Sequence, residues 1–318
     1  TDTSSTLERI VVTASAEVIL NGVNLNSNGD GAALEVQGNS ATNTSDNVTA
    51  TIKLKGENIL SMTGSNKYAG LQLSNGANLI LENGAAESET VGSLTATGGD
   101  SGSGIGSGNY GTAGDITISG GTVTATSGNG NSVVGIGKGS SGLCTGVQIT
   151  GGSVKAMDSS GTVNSISPAP TSDGTTSVYL GILENQAGVQ SIIVDNVDYK
   201  VAGNHPDGDN NFYLYMTGTN HIIAGNSWYT ASYDSSSNNF TFNIKDLEVR
   251  NEEGNLASDV CSYESDVVTI SATDAEKIYT IKLKDGITQT SDRIVINTNA
   301  TIVLDNVSIE TSEGTPLE

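Results

Sequence analysis

A repeat held in register for twenty-two residues decides most of what this chain can fold into. Gly104-Ile105-Gly106, followed by Asp115-Ile116-Thr117-Ile118-Ser119-Gly120-Gly121-Thr122-Val123-Thr124-Ala125, recurs 31 residues later. The copy reads Gly135-Ile136-Gly137, then Gly146-Val147-Gln148-Ile149-Thr150-Gly151-Gly152-Ser153-Val154-Lys155-Ala156. A period of this length marks units that bury their apolar face only by stacking on their neighbours. A looser copy lies upstream, where Val18 to Leu25 matches Ile52 to Ile59 at an offset of 34. Ala77 to Leu81 and Ser93 to Thr97 continue the series. Each unit alternates apolar and polar residues over short runs broken at Gly-Gly, Asn-Gly or Ser-Gly, which reads as strands joined by tight turns. Three strands of about five residues fill one coil, and coils stack about 4.8 Å apart through main-chain hydrogen bonds.

Composition narrows the choice further. Aromatic residues make up 4% of the chain and hydrophobic residues 35%, whereas glycine reaches 40 residues. That is too little bulk for a conventional globular core, which leaves disorder or a thin core of stacked aliphatic side chains. The Ile, Val and Leu alternations select the second. The expected fold is all-β: a right-handed parallel β-helix (solenoid) over residues 1–165, with a second, small β-sandwich-like module.

The module is expected at 166–250. Ser165-Ile166-Ser167-Pro168-Ala169-Pro170 reads as a linker, and ten of the fourteen aromatics lie between Tyr179 and Phe242. Residues 251–318 are expected to return to β-helix-type strands. Arg293 to Val307 matches Arg9 to Val23 at an offset of 284, and after a one-residue gap Glu313-Gly314-Thr315-Pro316-Leu317-Glu318 echoes Asp30-Gly31-Ala32-Ala33-Leu34-Glu35. This segment either begins a further repeat or caps the amino-terminal coils.

The chain carries 35 acidic and 13 basic residues, a formal charge of −22. Such a surface repels phosphate backbones and anionic lipid, so nucleic acid is excluded as an expected partner. No stretch reads as a membrane span or signal peptide. Cys144 and Cys261 are too few and too far apart for a disulfide framework or a zinc site. They read as isolated buried thiols, with a single bridge between modules as the alternative.

The Gly-x-Gly-Ile-Gly-x-Gly run, the Ile-Thr-Ile-Ser-Gly-Gly-Thr-Val-Thr-Ala strand pair and the Asn21-Gly22-Val23-Asn24 opening resemble Gram-positive bacterial cell-surface proteins of the carbohydrate-binding, right-handed parallel β-helix type. The likeness covers residues 9–157 and 279–318. The resemblance implies a secreted or cell-surface protein that binds polysaccharide or cell-wall glycan, with Ca²⁺ as an optional aid. Apart from the resemblance, end-to-end self-association through open solenoid edges is a further expectation. These motifs are structural and map no binding residue onto this chain.

Catalysis finds little footing. Polygalacturonase-type hydrolysis uses an Asp-Asp pair with His-Gly and Arg-x-Lys, and none of the three occurs. Lyase chemistry needs a Lys or Arg base beside Ca²⁺. Before residue 170 the basic residues are Arg9, Lys53, Lys55, Lys67, Lys138 and Lys155, and a solvated strand face accounts for them. Gly104-Ile105-Gly106-Ser107-Gly108 is followed by strands, so it is not a dinucleotide fingerprint. For metal, the loop His205-Pro206-Asp207-Gly208-Asp209-Asn210-Asn211 offers Asp207, Asp209 and Asn211 as oxygen ligands, against the alternative of a plain polar turn. For sugar stacking, the candidates are Tyr68, Tyr110, Trp228, Tyr229 and Tyr233, with the two loop tyrosines expected to be the exposed ones. The expectation is a non-catalytic polysaccharide-binding or adhesive module. A pectate-lyase-like enzyme and a structural spacer of a large adhesin are the alternatives.

Overall fold

The computed structural model describes residues 8–29, 31–39, 47–63, 67–86, 89–201, 208–312 and 314–318. The chain divides into two compact units, one formed by Thr1–Ser191 with Tyr199–Gly218 and the other by Ile192–Asp198 with Thr219–Glu318. No helix appears among the described residues.

The first unit is built from three parallel sheets, each taking every third strand. One holds Ile10–Val12, Leu34–Gln37, Leu71–Ser74, Ile105–Gly106, Ile136–Gly137 and Ile166–Ser167. The second holds Ala16–Asn21, Thr49–Lys55, Asn78–Asn83, Thr112–Ile118 and Leu143–Ile149. The third holds Asn24–Ser27, Glu57–Met62, Ser93–Thr97, Thr122–Thr126 and Ser153–Met157. The chain therefore passes through one strand of each sheet per tier and then begins the next tier. Because side chains alternate along a strand, every second residue points inward and meets its counterpart above and below. Val18, Ile52, Leu81, Ile118 and Ile149 form one such ladder. Leu25, Leu60, Ala96, Ala125 and Ala156 form another. Aliphatic side chains suffice because each ladder packs on its own copies, and that is why aromatics are scarce here.

The 31-residue register is kept in all three sheets, with Ile105 beside Ile136, Ile118 beside Ile149 and Val123 beside Val154. The Gly-Ile-Gly motif marks a corner where backbones crowd. Gly106 has φ 135°, and a Cβ there would lie 2.0 Å from the Gly137 carbonyl oxygen. The looser upstream match needs a correction. Its offset of 34 holds in the second sheet, where Val18 pairs with Ile52, but the third sheet shifts by one residue and sets Leu25 beside Leu60. The extra residue is taken up between Lys55 and Ile59, where Asn58 is fully buried at the corner. Its side chain accepts from the Val23 amide and donates to the carbonyls of Lys55, Gly56 and Ser93, stitching three tiers together.

The expected independent module at 166–250 is not formed as a unit. Val178–Leu183 and Phe212–Thr217 pair antiparallel inside the first unit, and Tyr215 joins that unit's core. The Tyr213 amide donates to Ser153 Oγ, the Gly152 amide to the Tyr199 carbonyl and the Gly121 amide to the Lys200 carbonyl, so these segments cover the end of the third sheet. A stack of tiers needs such a cover, since its last tier otherwise bares apolar surface. The remaining aromatics belong to the second unit. There Val197–Asp198, Ile193–Val194, His221–Ala224, Trp228–Asp234 and Asn239–Ile244 form an antiparallel sheet in that order.

Parallel pairing resumes toward the C-terminus. Arg293–Ile296 lies parallel to Val267–Ile270, Thr301–Asp305 lies parallel to Ile278–Leu283, and Ile294 bridges to Leu317. The match to the first tier extends to contacts. Arg9 pairs with Glu35 at 2.5 Å across Gly31, and Arg293 pairs with Glu318 at 2.5 Å across Gly314. The Ile10 amide donates to the Ala33 carbonyl and the Ile294 amide to the Pro316 carbonyl, both at 3.0 Å.

Candidate functional site

The corner between the first and second sheets carries the most unusual residue of the first unit. This corner turns through a left-handed backbone in successive tiers: Asn75 at φ 52°, Tyr110 at φ 54° and Ser141 at φ 53°. Asn and Ser suit that conformation, whereas a bulky aromatic is out of place in it. Tyr110 nevertheless occupies it and stands 79% exposed. The amide of Tyr110 donates to the Ser140 carbonyl, and the Leu143 amide to the Gly111 carbonyl, so the corner is held on both sides by the next tier. Leu143 is itself 66% exposed, which adds apolar surface beside the tyrosine.

Tyr68 lies in the segment next to this corner, because the Asn109 amide donates to the Lys67 carbonyl at 2.7 Å. Tyr68 is half-buried, and the Lys67 ammonium stands 5.9 Å from its ring centroid. The two loop tyrosines singled out in the sequence are thus carried on hydrogen-bonded segments of one surface, but only Tyr110 presents an open ring.

The other three aromatic candidates fare differently. Trp228 is 3% exposed and packs at 5.9 Å against Tyr263, within the core of the second unit. Tyr229 is 8% exposed, with its hydroxyl on Asn226 Oδ1. Neither offers a ring face to a sugar, which corrects the expectation for both. The two are neighbours on the strand Trp228–Asp234 and point to opposite faces, and both faces are covered there. Tyr233 is half-buried, tilted against Phe240 at 5.2 Å, and donates to Asn238 Oδ1.

The oxygen-rich loop also departs from expectation where it is described. Asp207 lies outside the described residues. Asp209 Oδ2 takes the Lys155 ammonium at 2.9 Å and the Tyr213 hydroxyl at 2.5 Å, while Oδ1 accepts from the Asn211 amide. Asn211 Oδ1 accepts from the Asn185 amide. Burial works to raise the Asp209 pKa, but the Tyr213 and Lys155 contacts hold it below the usual carboxylate value. A lysine thus already supplies the positive charge at Asp209 that a cation would bring, and Asp209 and Asn211 act as a fastening for the covering strands. Among the described residues no group of three or more His, Cys, Asp or Glu side chains is placed to hold a metal.

The lysines weighed as bases are also engaged. Lys53 lies 2.7 Å from Glu17 and 3.7 Å from Glu82, and Lys55 lies 3.0 Å from Glu89. The hydrogen bond that the Lys53 ammonium donates to Glu17 raises the Lys53 pKa, away from what proton abstraction near neutrality needs. Cys144 and Cys261 are free thiols, each pushed up to about 12 by burial, so neither is a ready nucleophile.

A feature that sequence reading missed is Glu248. It is 2% exposed, yet Arg250 and Lys284 stand within 3.0 Å of it and Lys282 at 3.7 Å, while Ser227 Oγ donates to it. Alternation along Leu247–Arg250 announces that Glu248 and Arg250 share a face, but not that the face is covered.

Comparison with family models, curated proteins and solved structures gives no match to this chain.

Proposed function

We propose that this chain is a non-catalytic polysaccharide-binding module of a bacterial surface protein, that its tiered unit is a right-handed parallel β-helix, and that a glycan lies along the Tyr110 corner. The observation that carries the reading is a fully offered aromatic ring on a backbone conformation that disfavours it. Non-glycine residues held in this region concentrate at functional sites, where surrounding hydrogen bonds impose the strain. Handedness rests on the strong preference of parallel crossovers for the right-handed sense. The engagement of Lys53, Lys55 and Lys155 with carboxylates supports binding over lyase chemistry, and no calcium is needed by the reading.

The test is a pull-down with insoluble polysaccharides, comparing the native chain with Tyr110→Ser, which installs the residue found one tier later. Loss of a stacked ring lowers affinity about tenfold, as expected for about 1.4 kcal/mol. Equal retention of both proteins removes the assignment. A second reading is favoured by the repeated Arg–Gly–Glu corner at 293–318: a structural spacer in a tandem surface protein, with no ligand of its own. Failure to bind any glycan selects it. Release of unsaturated product from polygalacturonate with Ca²⁺ would instead restore the lyase.

A further inference from the structure

The second unit contains a cleft of about 340 Å³ whose walls include Asp195, Trp228, Ser262, Tyr263 and Glu264. It adjoins a second cleft of about 450 Å³ through the shared residues Asp195, Ile222 and Ser265. Asp195 and Asn196, at φ 47° and 70°, form the two-residue turn of the short hairpin at its rim. Glu264 is exposed, and Asp195 accepts from His221 and the Ile222 amide while remaining open on one side.

Trp228 is the decisive wall. Its indole Nε1 is buried and has no hydrogen-bond partner, although more than nine-tenths of the residue is covered. A buried donor of this kind calls for an acceptor. The same cleft offers carboxylates, which call for donors. A metal ion or an alkylammonium group accepts nothing from an N–H, and a carboxylate or phosphate is repelled by Asp195 and Glu264. A hydroxyl accepts one hydrogen bond and donates another, and so satisfies both demands. Asn220, Thr230 and Asn243 extend the row of polar groups into the adjoining cleft, where the Lys245 ammonium is paired with Asp266 at 3.1 Å, and this suits a ligand bearing several hydroxyls in sequence.

We propose that this cleft is a binding site for a neutral saccharide, separate from the Tyr110 corner and standing without it. The indole nitrogen is sealed from solvent in this structure, so seating a sugar hydroxyl on it requires the Trp228–Tyr263 wall to give slightly. The protein contains one tryptophan, so its emission reports on this wall alone.

The experiment titrates the full chain with neutral gluco-, manno- and xylo-oligosaccharides while following tryptophan emission. Parallel arms use oligogalacturonate, CaCl₂ and tetramethylammonium chloride. The expected result is a saturable emission change with at least one neutral series and none in the charged arms, with affinity about tenfold weaker in Glu264→Gln. By calorimetry, Trp228→Phe is expected to lose the binding while keeping its thermal transition. Silence of every neutral series to about 10 mM, a response confined to the charged arms, or undiminished binding by Trp228→Phe overturns the proposal. Tyr110→Ser is expected to keep the full emission response, so failure at one site is distinguishable from failure at the other.

Discussion

Tyr110 shows how a single residue can be costly to the fold and still be kept. Replacing it with glycine should remove backbone strain and raise stability by about 1 kcal/mol in denaturant unfolding, while weakening polysaccharide retention. A gain in stability without a loss of retention would mean the ring has no ligand. Asn58 is the opposite case, a polar residue whose burial is fully compensated. Asn58→Ala leaves several main-chain groups of the corner without partners and should cost at least about 2 kcal/mol. Glu248 sets an acid limit for the second unit. Burial works to raise its pKa, but Ser227, Lys284 and Arg250 hold it below 4.5, the ordinary glutamate value. A carboxyl depressed in the folded state adds stability that is complete above the ordinary value and is lost as pH falls through the depressed one. Glu248→Gln should therefore flatten the acid limb of a melting-temperature profile, at a loss of about 3–5 kcal/mol near neutrality, because Arg250, Lys282 and Lys284 lose their shared partner.

At the scale of elements, the ladders carry the fold. Leu79 sits between Ala50 and Ile116, with both neighbours fully buried. Leu79→Ala should cost about 2–5 kcal/mol, measured by chemical denaturation, since neighbours fixed in a stack cannot collapse into the space. The strands of this stack were readable from sequence because period-two alternation and glycine corners are local signals. The one-residue slip at Asn58 was not, because it depends on a side chain replacing main-chain partners across tiers. The aromatic strands misled for a related reason. Phe212–Thr217 has the composition of a self-sufficient core strand, but its register with Val178–Leu183 places Tyr215 in the core of the tiered unit. Which aromatic faces which partner is a long-range matter that composition does not encode. The same holds for the cleft, whose lining comes from residues 193, 195, 196, 222, 228 and 262–265.

Across the whole molecule, a charge of −22 opposes association with other polyanions. The chain should pass through a heparin column unretained even at low salt. Binding to neutral glycans should change little between low and physiological salt, because no counterions are released.

The paired corners Arg9–Glu35 and Arg293–Glu318 carry a consequence for how the chain reaches this structure. Two stretches of one polypeptide advertise nearly the same landing place for the strands that follow Leu34. Ribosomal synthesis lays down the correct partner well before its imitation exists, and the order of emergence resolves the ambiguity. Refolding from denaturant offers both at once, so a fraction of molecules should stack on the wrong one and escape slowly. Recoloured by charge, as in Arg293→Glu, the imitation should lose its appeal and the slow fraction should shrink.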